Sequence, residues 1–303
     1  MFGMFESRIE PGICNVAGVD TPRRLVRMIV QSASIKEGFM HAFVELSVPA
    51  GRVGVHWFEQ SSFALKNAVG TTLLIDPYFP LDRPAEKFIH RSPPVDVTVL
   101  PTRFVLLTHS HDDHTHAGTI AGIEGARKDV RYIGPAESIE KIMSDTDVGG
   151  DRTDVVGAGD ALELDGIMAT AVLAKPPAGD PQADIAPPDV THLGYVLEID
   201  GVKLYFSGDP INTFADNDEL IRAVADLAPE VGFLTTHPTE GEFPGFDGSI
   251  KTAVRIGLKT AVPSHYACFI RRNYDPDEWA SGFPADGPEP LIIPRNSQVV
   301  MPL

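Results

Sequence analysis

Residues 106–116 read LLTHSHDDHTH, which crowds four of the chain's ten histidines and two aspartates directly behind an apolar run. Histidine and aspartate are poor strand and core residues, so the cluster serves something other than packing. The preceding stretch, DVTVLPTRFVLL at 96–107, ends in a nearly continuous apolar run. That is the pattern of a short strand covered on both faces, and the histidines begin where it stops. The core of the motif is His109, His111, Asp113 and His114, spaced H-x-H-x-D-H. In a locally extended segment, positions 109 and 111 face one side and can grip one cation. Asp113 and His114, on the turn into the next helix, can serve a neighbouring one. Imidazole nitrogen with carboxylate oxygen suits zinc, manganese or iron, and the absence of cysteine argues for an open, catalytic site over a closed structural one. The alternative is a polar helix N-terminus capped by Ser110 or Asp112, with solvated histidines; four such residues at this spacing behind a buried strand favour the metal. His116 reads as a helix-face residue.

Working outward, HAFVELSV, RVGVHWFEQSSFALKN and GTTLLIDPYFP are short strand-like runs upstream of the cluster, separated by Pro, Gly and Asn, and read as an antiparallel sheet. Downstream, HAGTIAGIEGARKD and GPAESIEKIMSDT are predicted helices with the strand VRYIG between them, and Pro135 suits a first helical turn. Hairpins are predicted to turn at Asp165-Gly166 and Asp200-Gly201. Helices near 216–226 and 247–257 alternate with the strands VGFLTT and TAVPSH. Strands in both halves, each with helices after them, imply an α+β fold of two mostly antiparallel or mixed sheets packed together and covered outside by helices. The Pro/Gly/Asp-rich segment KPPAGDPQADIAPPD at 175–189 is a long loop, of the kind that often carries function. Residues 1–40, including a possible short helix in TPRRLVRMIVQSASI, read as an N-terminal extension to a single domain over 41–303.

The hydrophobic fraction of 43% over 303 residues supports a substantial core. The formal charge of −17 disfavours extended contact with nucleic acid or an anionic membrane, and an anionic substrate would need a local positive centre. Neither a membrane-spanning apolar run nor a leader pattern is visible, so the expected location is cytoplasmic. The two cysteines, Cys14 and Cys268, form no disulfide framework and read as buried or idle thiols.

The H-x-H-x-D-H run after an apolar strand resembles the signature of the metallo-β-lactamase superfamily, whose fold is a four-layer αβ/βα sandwich with a two-metal site at the sheet edge. The resemblance spans roughly residues 53–282. TTLLIDPYF is similar to the family's early strand ending in Asp, LYFSGDP to the later strand ending in Gly-Asp, and TAVPSHYACF to the last strand ending in His. It implies that Asp209 bridges two metals, that His265 is the final ligand, and that Asp76 orients a ligand histidine or starts a turn. Order and spacing most resemble the branch containing L-ascorbate-6-phosphate lactonase, especially in VPSHYACFIRRNYDPDEW. One departure stands out. The family usually supplies a further His after the hairpin strand near 167–173, where this chain has Lys175 and Pro176 and only His192 follows. Either His192 takes that role by way of the long loop, or one metal has fewer protein ligands.

The resemblance implies one or two divalent ions, zinc or manganese before iron, that lower the pKa of bound water from about 15.7 toward about 7. Asp113 could hydrogen-bond that water and carry a proton to the leaving group. His237, after VGFLTT, could contact substrate or act as an acid, or be a surface-loop histidine. Arg271 and Arg272 could clamp a phosphate or carboxylate, or be solvated. The expected function is a metal-dependent hydrolase, lactonase-like, acting on a lactone or ester-like bond of a small, perhaps phosphorylated metabolite. The competing readings are a phosphodiesterase with the same two-metal site and a non-catalytic metal-dependent binding protein. The expected partners are a small-molecule substrate and, by analogy with the related lactonases, further copies of the chain.

Overall fold

The computed structural model describes residues 31–32 and 41–302. Its first sheet is built from β1 (Gln31–Ser32), β2 (Val53–Glu59), β3 (Ser62–Lys66), β4 (Thr72–Ile75), β5 (Phe104–Leu106), β6 (Arg131–Gly134) and β7 (Thr153–Val155). The second contains β8 (Ala161–Glu163), β9 (Ile167–Leu173), β10 (Leu193–Ile199), β11 (Val202–Phe206), β12 (Val231–Thr235), β13 (Thr260–Ser264) and β14 (Glu289–Pro290). The last strand, β15 (Ser297–Met301), returns to the first sheet and lies between β1 and β2.

Both sheets are mixed, and in the same way. In the first, β2, β3 and β4 form an antiparallel meander that continues as the parallel run β4-β5-β6-β7. In the second, the meander β9-β10-β11 continues as the parallel run β11-β12-β13-β14. The predicted hairpin turns are present: Asp165 and Gly166 have φ of 50° and 88°, Asp200 and Gly201 have 51° and 83°. Positive φ at both central residues is what a tight turn matching the strands' twist requires.

Period-2 alternation sorts the side chains. Val53, Val55 and Trp57 of β2 face Tyr195, Leu197 and Ile199 of β10 across a core shared by the two sheets. The outer face of the first sheet packs Phe58, Leu74, Val105 and Tyr132 against α2 (Ala117–Ala126) and α3 (Ala136–Asp145), the helices that follow the histidine cluster. On the other side, α4 (Asp218–Ala225), α5 (Phe246–Ile256) and α6 (Pro276–Ser281) cover Val196, Tyr205 and Leu234. The result is the expected four layers, helices outside and sheets inside.

Local expectations differ in three places. HAFVELSV is not a strand: residues 42–45 form a single helical turn, α1 (Ala42–Glu45), that buries Phe43. One buried apolar side chain is satisfied as well by a helical turn as by alternation, so the pattern is too short to discriminate. The possible helix in 21–35 lies outside the described residues except at Gln31–Ser32, which are strand and pair with Gln298 and Ser297. Part of the N-terminal stretch therefore forms the edge of the first sheet. His116 does not lie along a helix face; it is the N-cap of α2, where its Nδ1 accepts from the Thr119 amide at 3.0 Å.

Candidate metal centre

The carboxyl ends of the parallel strands from both sheets meet at one rim. Asp76 follows β4, Thr108 and His109 follow β5, Gly208 and Asp209 follow β11, His237 follows β12 and His265 follows β13. Each strand end is held by bonds that leave little freedom. The Tyr195 hydroxyl crosses from the second sheet and donates to the Leu107 carbonyl at 2.9 Å, and the Leu193 amide donates to the Thr108 carbonyl at 2.9 Å. Gly208 has φ of 58°, and a Cβ there would stand 2.2 Å from the Leu193 carbonyl oxygen, so only glycine lets Asp209 turn inward at that point. Pro263 is tolerated in β13 because its neighbour β14 pairs only with Thr260 and Ala261, leaving no partner for a donor at 263.

Three groups of side chains converge, each with ligand atoms within 4.8 Å of one another: His109, His111 and His192; His109, His114 and Asp209; and Asp113, His114 and His265. Asp209 sits between the first and last of these. Its Oδ2 is 3.7 Å from His109 Nε2 and 3.3 Å from His114 Nε2, and its Oδ1 is 3.5 Å from His265 Nε2. His192, brought back by the long loop, stacks on His109 with ring centres 4.1 Å apart. The structure therefore gathers every predicted ligand residue into three overlapping groups, of which the outer two form adjoining nests with Asp209 between them.

Asp76 lies beneath them, fully buried. It accepts from the Thr108 amide at 2.8 Å, the Thr108 hydroxyl at 2.6 Å and His114 Nδ1 at 2.7 Å. Burial works upward on the Asp76 carboxyl, opposed by His114 and the Thr108 bonds; as a carboxylate it can only accept, so His114 carries a proton on Nδ1 and turns Nε2 toward Asp209, where a cation would displace any proton held there. His109 Nδ1 stands 3.0 Å from the Thr108 hydroxyl, which leaves its Nε2 facing Asp209.

The site's own polar atoms fit a cation. His109 Nε2, His114 Nε2, both ring nitrogens of His192 and Asp209 Oδ1 are buried with no hydrogen-bond partner. Burial pushes His109 well down, and burial with nearby Lys175 pushes His192 down to about 3, so both are neutral donors of lone pairs. Burial would also lower His114, but the Asp209 and Asp76 carboxylates outweigh it and hold His114 well above its ordinary value. For Asp209, burial works upward, and His114 and His265 overcome it to keep the carboxylate ionised. Unpartnered imidazole nitrogens around an ionised carboxylate match the donor set that zinc, manganese or iron would take.

His237 joins none of the three groups. Its Nδ1 accepts from the amides of Glu240 at 3.1 Å and Thr239 at 3.3 Å, so the neutral ring holds its proton on Nε2, which is buried and unpartnered. Arg272 bridges Glu240 at 3.0 Å and Asp113 at 3.6 Å, beside the site. Arg271 and Arg272 both line a cleft of about 650 Å³ with Tyr78, Lys87, Asp113 and Phe269. Cys268 is buried and free, and Cys14 lies outside the described residues.

Two polar residues beside the site were not anticipated. Asp189, at the end of the long loop, takes His111 Nε2 at 2.9 Å; its position three residues before His192 was the available signal. Gln60, in the β2-β3 turn, places its amide nitrogen 3.0 Å from Asp113 Oδ2 and 2.8 Å from His265 Nε2. Nothing in EQSS marks it out from an ordinary polar turn residue.

Comparison with known proteins agrees with this architecture. The family described as Beta-lactamase superfamily domain matches residues 54–237. A UPF0173 metal-dependent hydrolase of Archaeoglobus fulgidus is 26% identical over 244 residues, covering 79% of this chain and 94% of that protein. Another from Thermococcus onnurineus is 30% identical over 187 residues, covering 59% of this chain and 74% of that protein. Among solved structures, Igni18, a metallo hydrolase from Ignicoccus hospitalis, has a TM-score of 0.62 at 18% identity, covering 83% of this chain and 99% of that one.

Proposed function

The chain belongs to the beta-lactamase superfamily and, within it, to the UPF0173 metal-dependent hydrolases, and on that premise we propose that it hydrolyses a lactone or other ester-like bond of a small anionic metabolite. The observation that carries this reading is the cleft of about 650 Å³ that runs from Asp113 to Arg271 and Arg272. Asp113 joins this cleft to the candidate metal nests, and Arg271, Arg272 and Lys87 stand in it among the carboxylates of Glu86, Asp112 and Glu240, giving an anion a local anchor in a chain whose overall charge is −17.

His109, His111 and His192 would hold one ion and Asp113, His114 and His265 the other, with Asp209 between; zinc or manganese suits both sets. A divalent ion supplies Lewis acidity there and lowers the pKa of water toward about 7. The chain's own groups do the rest. Arg271 and Arg272 orient the substrate's anionic group by paired N–H donation. The Asp113 carboxylate, at the cleft wall, takes a proton from the attacking water and passes it to the leaving oxygen. His237, kept neutral by burial and by the backbone amides that its Nδ1 accepts from, offers Nε2–H to an oxygen that gains negative charge. Tyr78 and Phe269 give the cleft an apolar wall that excludes water from the bound ester.

The non-catalytic reading draws its support from a missing ligand, against which the stacking of His192 on His109 at 4.1 Å supports His192 as that ligand. The test is turnover by the zinc- and manganese-loaded protein of phosphorylated or carboxylated lactones beside bis(p-nitrophenyl) phosphate. Lactone opening with little diester cleavage supports the proposal. Diester cleavage alone would replace it with the phosphodiesterase, and a filled site without turnover of either would favour a binding protein.

A further inference from the structure

Gln60 places a neutral amide among the ligand residues of the second nest, and its backbone is unusual. It has φ of 52°, in the left-handed region that costs a non-glycine residue strain. A β2-β3 turn would take glycine or asparagine there without penalty. Three hydrogen bonds hold Gln60 in this state instead. Its amide donates to the Tyr266 carbonyl at 2.9 Å, and its carbonyl accepts from the His265 amide at 3.0 Å and the Trp57 indole at 2.9 Å. The turn is thereby pinned to the His265 strand end, and the side chain is delivered, fully buried, between Asp113 and His265.

The two ends of that side chain are unequally served. Nε2 faces Asp113 Oδ2 at 3.0 Å and His265 Nε2 at 2.8 Å, while Oε1 is buried without any partner. Both atoms that Nε2 meets belong to the nest proposed to hold the second ion. The amide nitrogen thus sits where a cation shared by Asp113 and His265 would draw on the same lone pairs. A cation there repels N–H groups and attracts a carbonyl oxygen, and a half-turn of the terminal amide exchanges the two ends at the cost of only two hydrogen bonds.

We propose that Gln60 is a ligand of the second ion: its amide nitrogen holds Asp113 and His265 together before loading, and its Oε1 turns to the ion afterwards. This rests on the two-ion reading above and adds a ligand from the meander of the first sheet to those from the parallel strand ends. It also gives the strained turn a purpose, since a glycine there would present no oxygen.

Two measurements decide it. In a crystal structure of the zinc-loaded full chain, the Gln60 amide oxygen is expected within about 2.0–2.2 Å of the second ion. In solution, Gln60→Met, which keeps the length but has neither oxygen nor nitrogen, is expected to weaken zinc binding at one of two sites by about ten- to hundredfold and leave the other unchanged, read by calorimetric titration and metal content. If Gln60 still bonds Asp113 in the loaded crystal and the Met variant keeps both ions, the ligand role is overturned while the two-ion reading stands. If the wild-type chain binds no ion, both fall together. Should the variant not fold, the position of Oε1 in the loaded wild-type crystal alone decides the matter.

Discussion

The imidazoles of His109 and His192 lie almost parallel, with ring centres 4.1 Å apart and planes 27° from each other. One leaves the end of a strand in the first sheet, the other begins a strand in the second, so their stacking is a product of sheet-on-sheet packing. Neither is the charged imidazolium at neutral pH, because burial depresses both, so each ring keeps one nitrogen lone pair. His192→Ala is therefore expected to lower the affinity of one ion by about ten- to hundredfold and spare the other. Metal content after dialysis against graded chelator measures this; equal loss of both ions would contradict separate nests.

Asp76 is buried under His114 and serves three donors. Asp76→Ala strands all of them, which should cost about 3–5 kcal/mol of folding stability, as for removal of one partner of a buried pair. Asp76→Asn keeps the shape but can turn an N–H toward His114, so it should fold better yet load metal more weakly than wild type. Urea denaturation paired with metal content distinguishes the two effects.

Arg271 lines the cleft without entering the Asp113–Arg272–Glu240 chain. Arg271→Ala is expected to reduce kcat/KM for anionic substrates by about ten- to hundredfold, the worth of a charge-assisted hydrogen bond, and to leave neutral esters nearly unaffected. Arg272→Ala should impair both, since it also releases Asp113 and Glu240. Identical losses on neutral and anionic substrates for Arg271→Ala would remove it from substrate binding.

His56, away from the site, is buried between His41 and Phe58, with Nε2 2.9 Å from Asn296 Oδ1. Burial, then the neighbouring His41, pushes its pKa down to about 3, against weaker support from Asn296 and Gln298. The unfolded chain takes up this proton near pH 6.5 and the folded chain only near 3. Its contribution to stability is thus complete above about pH 6.5 and is lost as pH falls toward 3, at about 1.4 kcal/mol per unit. His56→Gln should show a flatter acid limb than wild type in urea midpoints taken from about pH 7 to about 4.5. Parallel limbs would mean that His56 titrates alike in both states.

Much of the site was legible because its chemistry is local in sequence. The H-x-H-x-D-H spacing puts four side chains on one bend; Asp209 and His265 each close a strand whose apolar pattern is plain, but their roles are implied by the family resemblance rather than by that pattern. Asp165-Gly166 and Asp200-Gly201 declared their hairpins for the same reason: positive φ is a property of the residue pair itself. His192 could not be assigned, since a loop's sequence says nothing of where its end returns. Gln60 was invisible and Asp189 was marked only by its distance from His192, because an amide in a turn and a carboxylate in a loop have ordinary local explanations. His116 and the 42–45 turn failed differently, where short patterns satisfied two conformations equally.

By itself, then, the amino-acid order determined most strands and helices, the packing of two sheets under outer helices and the histidine cluster at a strand end, because periodicity and turn chemistry act between near neighbours. Only the tertiary structure decided which distant groups stand together: the packing of one sheet on the other sets His192 on His109, Asp209 between two nests and Gln60 against His265. Those distances are fixed by the close-packed core between the sheets, a property of the whole assembly that no single segment carries.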